Sequence, residues 1–319
     1  MLNFEDLPDE LILQIVGYSE TKDLITYGQV SKRIRKISHD GTLWVTANLM
    51  KKVVKTELIE MILGKGCKIL KISNTTIVGS LSSNMKSQLR RLELSLSTSK
   101  SRLKYYKENN DVLEELLFSC CSLQHLKIEG LLISLKMADS ICKNGKTLQV
   151  LNLNHSHVEY KDNLAYTVQK GDKLRAIIKC CQELKELAFI DDFKNSLFND
   201  DLEYLAKNIS PNVVKLNLSN HDVDDNILKI LLSRCKKIKV LILDATYTTS
   251  DSLKTIRQYL NLTLEELTLS CYWTVTNILE LKSMPRLQML NLYTADDKTI
   301  QNLRYYLPHL IIRTLSDDD

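Results

Sequence analysis

The side chains most able to do chemistry fall in a few short clusters. Cys120, Cys121 and His125 lie close together, and Cys180 and Cys181 follow His155 and His157. Thiolates and imidazoles can hold zinc, but a structural zinc site needs paired C-x-x-C ligands, and neither cluster has them. Paired carboxylates, Asp191-Asp192 and Asp224-Asp225, follow strand-like segments, where solvation and helix capping account for them. No phosphate-cradling G-x-x-x-x-G-K-[ST] and no G-x-S-x-G nucleophile motif occurs. The expectation is a chain without metal, cofactor or catalytic residues.

The elements that would carry those side chains form a repeat. Leu-x-x-Leu-x-Leu appears as Leu89-Leu92-Leu94, Leu123-Leu126-Ile128, Leu148-Leu151-Leu153 and Leu184-Leu187-Phe189. Val213-Leu216-Leu218, Ile238-Leu241-Leu243, Leu264-Leu267-Leu269 and Leu287-Leu290-Leu292 continue it. Weaker copies stand at Cys67-Leu70-Ile72 and Leu307-Leu310-Ile312. Most spacings lie near the 20–29-residue period of leucine-rich repeats. Two intervals are longer, and polar insertions at Ser95–Asn110 and His155–Asp172 would fill them.

Each triplet ends in period-2 alternation, as in Lys215-Leu216-Asn217-Leu218-Ser219, the pattern of a strand with one buried face. Between triplets the period becomes helical, with Leu228, Leu231, Leu232 and Cys235 on one stripe. One strand–turn–helix unit cannot bury its own apolar face, but stacked neighbours can. Cys121, Cys181 and Cys235 mark the helix ends before triplets, and Asn154, Asn220 and Cys271 the turns after strands. The eight cysteines therefore read as reduced, buried, small apolar residues.

Composition narrows the class. With 43 Lys and Arg against 39 Asp and Glu, the net charge of +4 is too balanced to suggest nucleic acid. No apolar run of about 18 residues is present to span a membrane. The acidic start, Glu5-Asp6, is unlike a secretory signal. The basic run Lys32-Arg33-Arg35-Lys36 reads as the solvated face of a helix whose other face carries Ile34 and Ile37.

Phe4 to Trp44 is of another kind. Pro8 opens a helix with Asp9 and Glu10 in its first turn, and Leu11, Ile12, Ile15 and Val16 form its apolar stripe. A second helix begins near Thr21, and Ser31 caps a third. Three short helices carry more apolar surface than they can bury among themselves, so the module must dock. Trp44 is expected to pack against the first repeats and orient it.

Leu7-Pro8-Asp9-Glu10, Ile15, Asp23-Leu24, Val30-Ser31-Lys32-Arg33 and Leu43-Trp44 fall in the order of an F-box, which the segment resembles. The whole chain resembles the F-box/leucine-rich-repeat proteins, and within them the branch of the S-phase-kinase-associated F-box protein. Cys120 to Leu131, Leu264 to Leu290 and Leu307-Pro308-His309-Leu310 carry that likeness. Two departures stand out, since that branch has a long extension before the F-box and a C-terminal tail folded over the repeats. Part of its substrate and accessory surface is therefore expected to be missing here.

The resemblance implies an α/β fold, a three-helix F-box followed by a leucine-rich-repeat solenoid with a curved parallel sheet inside and helices outside. The expected domains are an F-box at 1–46, a helical linker or cap at 47–66, about ten repeats at 67–315 and a frayed acidic tail at 316–319. It implies a non-catalytic substrate receptor working in nucleus and cytoplasm, which binds a Skp adaptor and through it a cullin. The adaptor face would hold Leu7, Pro8, Leu11, Ile12, Ile15, Leu24 and Val30. A scaffold that binds the adaptor without sending anything for degradation is the alternative.

The strand positions between buried leucines would meet a protein substrate, possibly phosphorylated. Lys215, Asn217, Val240, Ile242, Asp244, Glu266, Thr268, Met289, Asn291 and Tyr293 are the candidates, with Tyr272 and Trp273 beside them. Apolar Val240, Ile242 and Met289 on a face otherwise polar suggest a docking patch in the last repeats, where an accessory protein could also bind.

Overall fold

The structure is a computed structural model of the 319-residue chain. It describes residues 4–50, 53–82, 84–95, 102–155, 157–158, 169–190, 199–270, 279–293, 295 and 297–315. The chain divides into two compact units, Met1–Leu131 and Leu132–Asp319.

The first unit opens with helices α1 (Asp9–Val16), α2 (Thr21–Tyr27) and α3 (Lys32–Ser38). Their small core consists of Ile12, Val16, Leu24, Ile34 and Ile37, closed by Trp44. Ser31 caps α3 as its residue type requires, its hydroxyl accepting from the Ile34 amide at 3.2 Å. The Trp44 indole donates to the Ser38 carbonyl at 2.7 Å, so its polar edge is satisfied within the helical module. The link to the sheet comes from Thr21, whose buried hydroxyl accepts from the Asn48 amide at 3.0 Å.

Asn48 lies on β1 (Thr46–Met50), which is followed by β2 (Val53–Lys55) and α4 (Thr56–Gly64). Next come β3 (Ile69–Ser73), β4 (Thr76–Val78), β5 (Arg91–Ser95), α5 (Arg102–Ser119) and β6 (His125–Glu129). β1, β3, β5 and β6 pair in parallel in that order, and β2 pairs with β4. One expectation is corrected here. The sheet starts at Thr46, and its first strand runs to Met50 through the start of the segment expected to be a helical linker, because Ala47 and Leu49 already alternate inward. The first polar insertion is partly helix, since α5 begins at Arg102.

In the second unit β7 (Leu132–Ile133) precedes α6 (Leu135–Lys143), β8 (Val150–Asn152), β9 (His157–Val158), α7 (Gln169–Cys180) and β10 (Glu186–Ala188). Then α8 (Asn199–Asn208), β11 (Lys215–Asn217), α9 (Asp225–Arg234), β12 (Val240–Leu243) and α10 (Ser250–Leu260) alternate. β13 (Glu266–Ser270), β14 (Met289–Tyr293), α11 (Asp297–Tyr306) and β15 (Ile311–Leu315) complete the unit. β8 and β10 to β15 form one parallel sheet in sequence order.

The register explains the repeat. Leu151, Leu187, Leu216, Leu241, Leu267, Leu290 and Ile312 stand opposite one another on successive strands, and every one is buried. Removing one side chain from such a row, as in Leu216→Ala, costs about 3 kcal/mol through lost transfer energy and the cavity left behind. Left-handed turns follow strands two residues after the triplet, at Asn74, His155, Asn220 and Ala245. Asn220 falls where the sequence placed it, whereas His155 rather than Asn154 takes the left-handed conformation.

The expectation of buried cysteines fails at three of the seven described. Cys120, not Cys121, fills the buried slot before its triplet; Cys121 and Cys180 are exposed and Cys142 is half-buried. Cys67, Cys181 and Cys235 are buried, and burial pushes their thiols up to about 11, 12 and 11. Such thiols stay neutral and pack as small apolar groups.

Candidate functional site

The helical module divides its apolar residues between two tasks. Ile12 and Leu24 were expected on the adaptor face, but both are core residues, because their stripe faces α3. Pro8, Leu11, Ile15 and Val30 stay exposed, and Leu7 is half-buried. Val30 is 66% exposed and Tyr18 is 90% exposed, a large uncovered aromatic that the sequence reading passed over. Its signal was an aromatic in the polar break directly after an amphipathic helix. A groove of about 540 Å³ runs between Leu11, Leu13, Gly17, Tyr18, Thr42 and Leu43.

Arg33 fixes the entry of this face. Its guanidinium donates to Asp9 Oδ1 at 2.8 and 2.7 Å and to the Leu7 carbonyl at 2.6 Å. The turn carrying Leu7 and Pro8 is thereby tied to the third helix. Arg35 donates to the Gly28 carbonyl at 2.6 Å, so part of the basic run serves the module's own frame.

On the second unit the expected substrate residues are brought together by the strand register. Lys215, Val240, Glu266 and Met289 form one row across β11 to β14. Asn217, Ile242, Thr268 and Asn291 form the next, and Ser270 stands opposite Tyr293. Lys215 is exposed, while Val240, Ile242, Asp244, Met289 and Tyr293 are half-buried. Asp244 accepts from the Ser270 hydroxyl at 2.7 Å, and the Asn217 side chain accepts from the Ser219 amide and hydroxyl at 3.0 and 2.8 Å.

Thr268 and Asn291 correct the expectation of free polar contacts, being only 3% and 6% exposed. The Asn291 amide donates to Glu266 Oε1 at 2.7 Å and to the Thr268 hydroxyl at 3.1 Å. Strands flank both residues, so their side chains are spent on one another and hold Glu266 in place. Tyr272 and Trp273 lie outside the described residues. The sequence reading missed Ile311 and Arg313, which extend the two rows onto β15 and are both exposed. Their signal was the weak final triplet.

Among the described residues no group of three or more His, Cys, Asp or Glu is placed to hold a metal ion. Nor, among them, is any helix long and apolar enough to cross a membrane. What the surfaces offer is contact area with fixed polar groups.

Repeated strands in a leucine register, preceded in the chain by a three-helix module, define a leucine-rich-repeat protein with an N-terminal helical module. Residues 57–316 match the SKP2 LRR domain and residues 4–50 match an F-box-like domain. The chain belongs to the SKP2 LRR domain family. Among solved structures it is similar to the leucine-rich repeat-containing protein LegL7 from Legionella pneumophila, at 16% identity and TM-score 0.48, over 85% of this chain and 91% of that one. It is also similar to TLR13 from the TLR13–ssRNA13 complex, at 17% identity and TM-score 0.41, over 85% of this chain and 42% of that one.

Proposed function

We propose that this protein is the substrate-selecting subunit of a Skp–cullin–F-box ubiquitin ligase. The observation that carries the reading is the F-box-like module with Leu11, Ile15, Tyr18 and Val30 uncovered, joined to SKP2-type repeats. A module of this size that leaves such residues in water has a partner to cover them. The Skp adaptor takes that face and links it to a cullin, and the strand rows of the repeats take the substrate. The chain contributes position: a substrate lysine held near a ubiquitin-loaded enzyme reacts at raised effective concentration. Catalysis belongs to other subunits.

Reconstitution with adaptor, cullin and charged conjugating enzyme tests the reading. The expected result is a stable adaptor complex and ubiquitylation of proteins captured on the repeats. An adaptor complex that ubiquitylates none of its captured proteins favours a non-degradative scaffold. No adaptor complex at all removes the ligase reading.

A further inference from the structure

Cys142 stands one residue from the end of α6, and Cys180 is the last residue of α7. The two helices pack side by side. Their C-terminal ends approach more closely than a side chain permits. At Gly145, in the turn leaving α6, the Cys180 carbonyl oxygen lies 2.5 Å from where a Cβ would stand. Any other residue there would push the two ends apart. The Gly145 amide donates to the Cys142 carbonyl at 2.9 Å, which ties that turn to Cys142. Cys180 is also the neighbour that acts most strongly on the Cys142 thiol. Both are free, Cys180 exposed and Cys142 half-buried. Burial first, and then the neighbouring Cys180 thiol, push the Cys142 thiol up to about 12. Neighbouring Cys181 is turned into the core.

We propose that Cys142 and Cys180 are a redox modification site, a dithiol that closes to a disulfide between the helices of two successive repeats, with a low-molecular-weight disulfide such as glutathione disulfide as oxidant. Exposed Cys180 releases its proton to solvent, and its thiolate attacks one sulfur of glutathione disulfide. That S–S bond breaks, a mixed disulfide forms on Cys180, and a glutathione thiolate leaves and takes up a proton. Cys142 then acts as the resolving thiol. Its proton passes to solvent, its thiolate attacks the Cys180 sulfur, and the second glutathione leaves and is protonated. Two protein thiols are oxidised and one glutathione disulfide is reduced to two thiols, with protons in balance.

The test uses the full chain, incubated with glutathione disulfide, alkylated and digested with trypsin without reduction. Cleavage after lysine places Cys142 in the peptide Met137–Lys143 and Cys180 with Cys181 in Cys180–Lys185. The expected product is these two peptides joined, separated again by dithiothreitol. Cys180→Ser abolishes the link. Cys142→Ser, or Cys142→Ala should the serine variant misfold, leaves glutathione held on Cys180. The oxidised wild type also melts about 5 °C above oxidised Cys180→Ser, because the bond constrains the unfolded chain. A link that survives in Cys180→Ser puts the bond on Cys181 and overturns the proposal. So does a wild-type chain that keeps glutathione on Cys180, or one left unmodified there while exposed Cys121 reacts.

Discussion

Arg33 grips Asp9 from twenty-four residues away and holds the Leu7 carbonyl with the same guanidinium. Both charged side chains are about half exposed, so the ion pair contributes no more than about 1 kcal/mol to stability. Its effect is on geometry, because it fixes the turn that presents Leu7 and Pro8. Arg33→Gln should leave the thermal midpoint within about 2 °C of wild type. Adaptor affinity, measured by calorimetry, should fall about 5–10-fold, or roughly 1–1.4 kcal/mol. An affinity equal to wild type would remove the positioning role.

The divided apolar stripe of α1 gives a second test. Ile12 and Leu24 are buried, and replacing either by alanine should destabilise the module by about 2–4 kcal/mol, seen as a lower denaturant midpoint. Leu11, Ile15 and Val30 are exposed, so Leu11→Ser with Ile15→Ser should scarcely move that midpoint. The same pair should cost on the order of 2 kcal/mol or more of adaptor binding, as does the Leu7→Ala, Pro8→Ala double variant. Normal adaptor capture by both exposed-face variants would sink the proposed docking face.

Ala245 sits in the left-handed region at φ 48°, where an L side chain crowds its own backbone. Equivalent turns hold Asn74, His155 and Asn220, types that tolerate the conformation better. Relief of that crowding outweighs the extra freedom glycine adds to the unfolded chain. Ala245→Gly should therefore stabilise the protein by roughly 0.5–1 kcal/mol in equilibrium denaturation. A loss of stability would mean that the turn is not strained at this residue.

Some of this was legible in the chain and some was not, for physical reasons. The leucine rows were, because strand alternation writes the buried face directly into Leu216, Leu241 and Leu267. The first strand was not, because Ala47 and Leu49 are too few to stand out from a linker. Burial of Ile12 and Leu24 was hidden, since a stripe of four apolar residues does not say which face a neighbouring helix covers. Likewise the mutual bonding of Asn291 and Thr268 depends on register between strands over twenty residues apart. Alternation fixes which way each points, not what it meets.

Asp225 gives the pH test. Burial alone would raise its carboxyl, but hydrogen bonds from the Ser252 hydroxyl and the Thr249 hydroxyl and amide reverse that and hold it below the usual carboxylate range. These bonds tie the first turn of α9 to the start of α10. A carboxyl whose folded value is depressed contributes stability that is fully present above its unfolded pKa, about 4. That contribution drains away as pH falls through the lower folded value, because protonation then favours the unfolded chain. Asp225→Asn keeps the shape and removes the charge, so it should destabilise the second unit by about 1–2 kcal/mol at pH 7. The difference from wild type should shrink steadily as pH falls below about 4 and through the lower folded value. Paired urea melts across that range measure it. A gap between the two proteins that did not narrow at any pH below about 4 would show that the charge on Asp225 does not hold the two helices together.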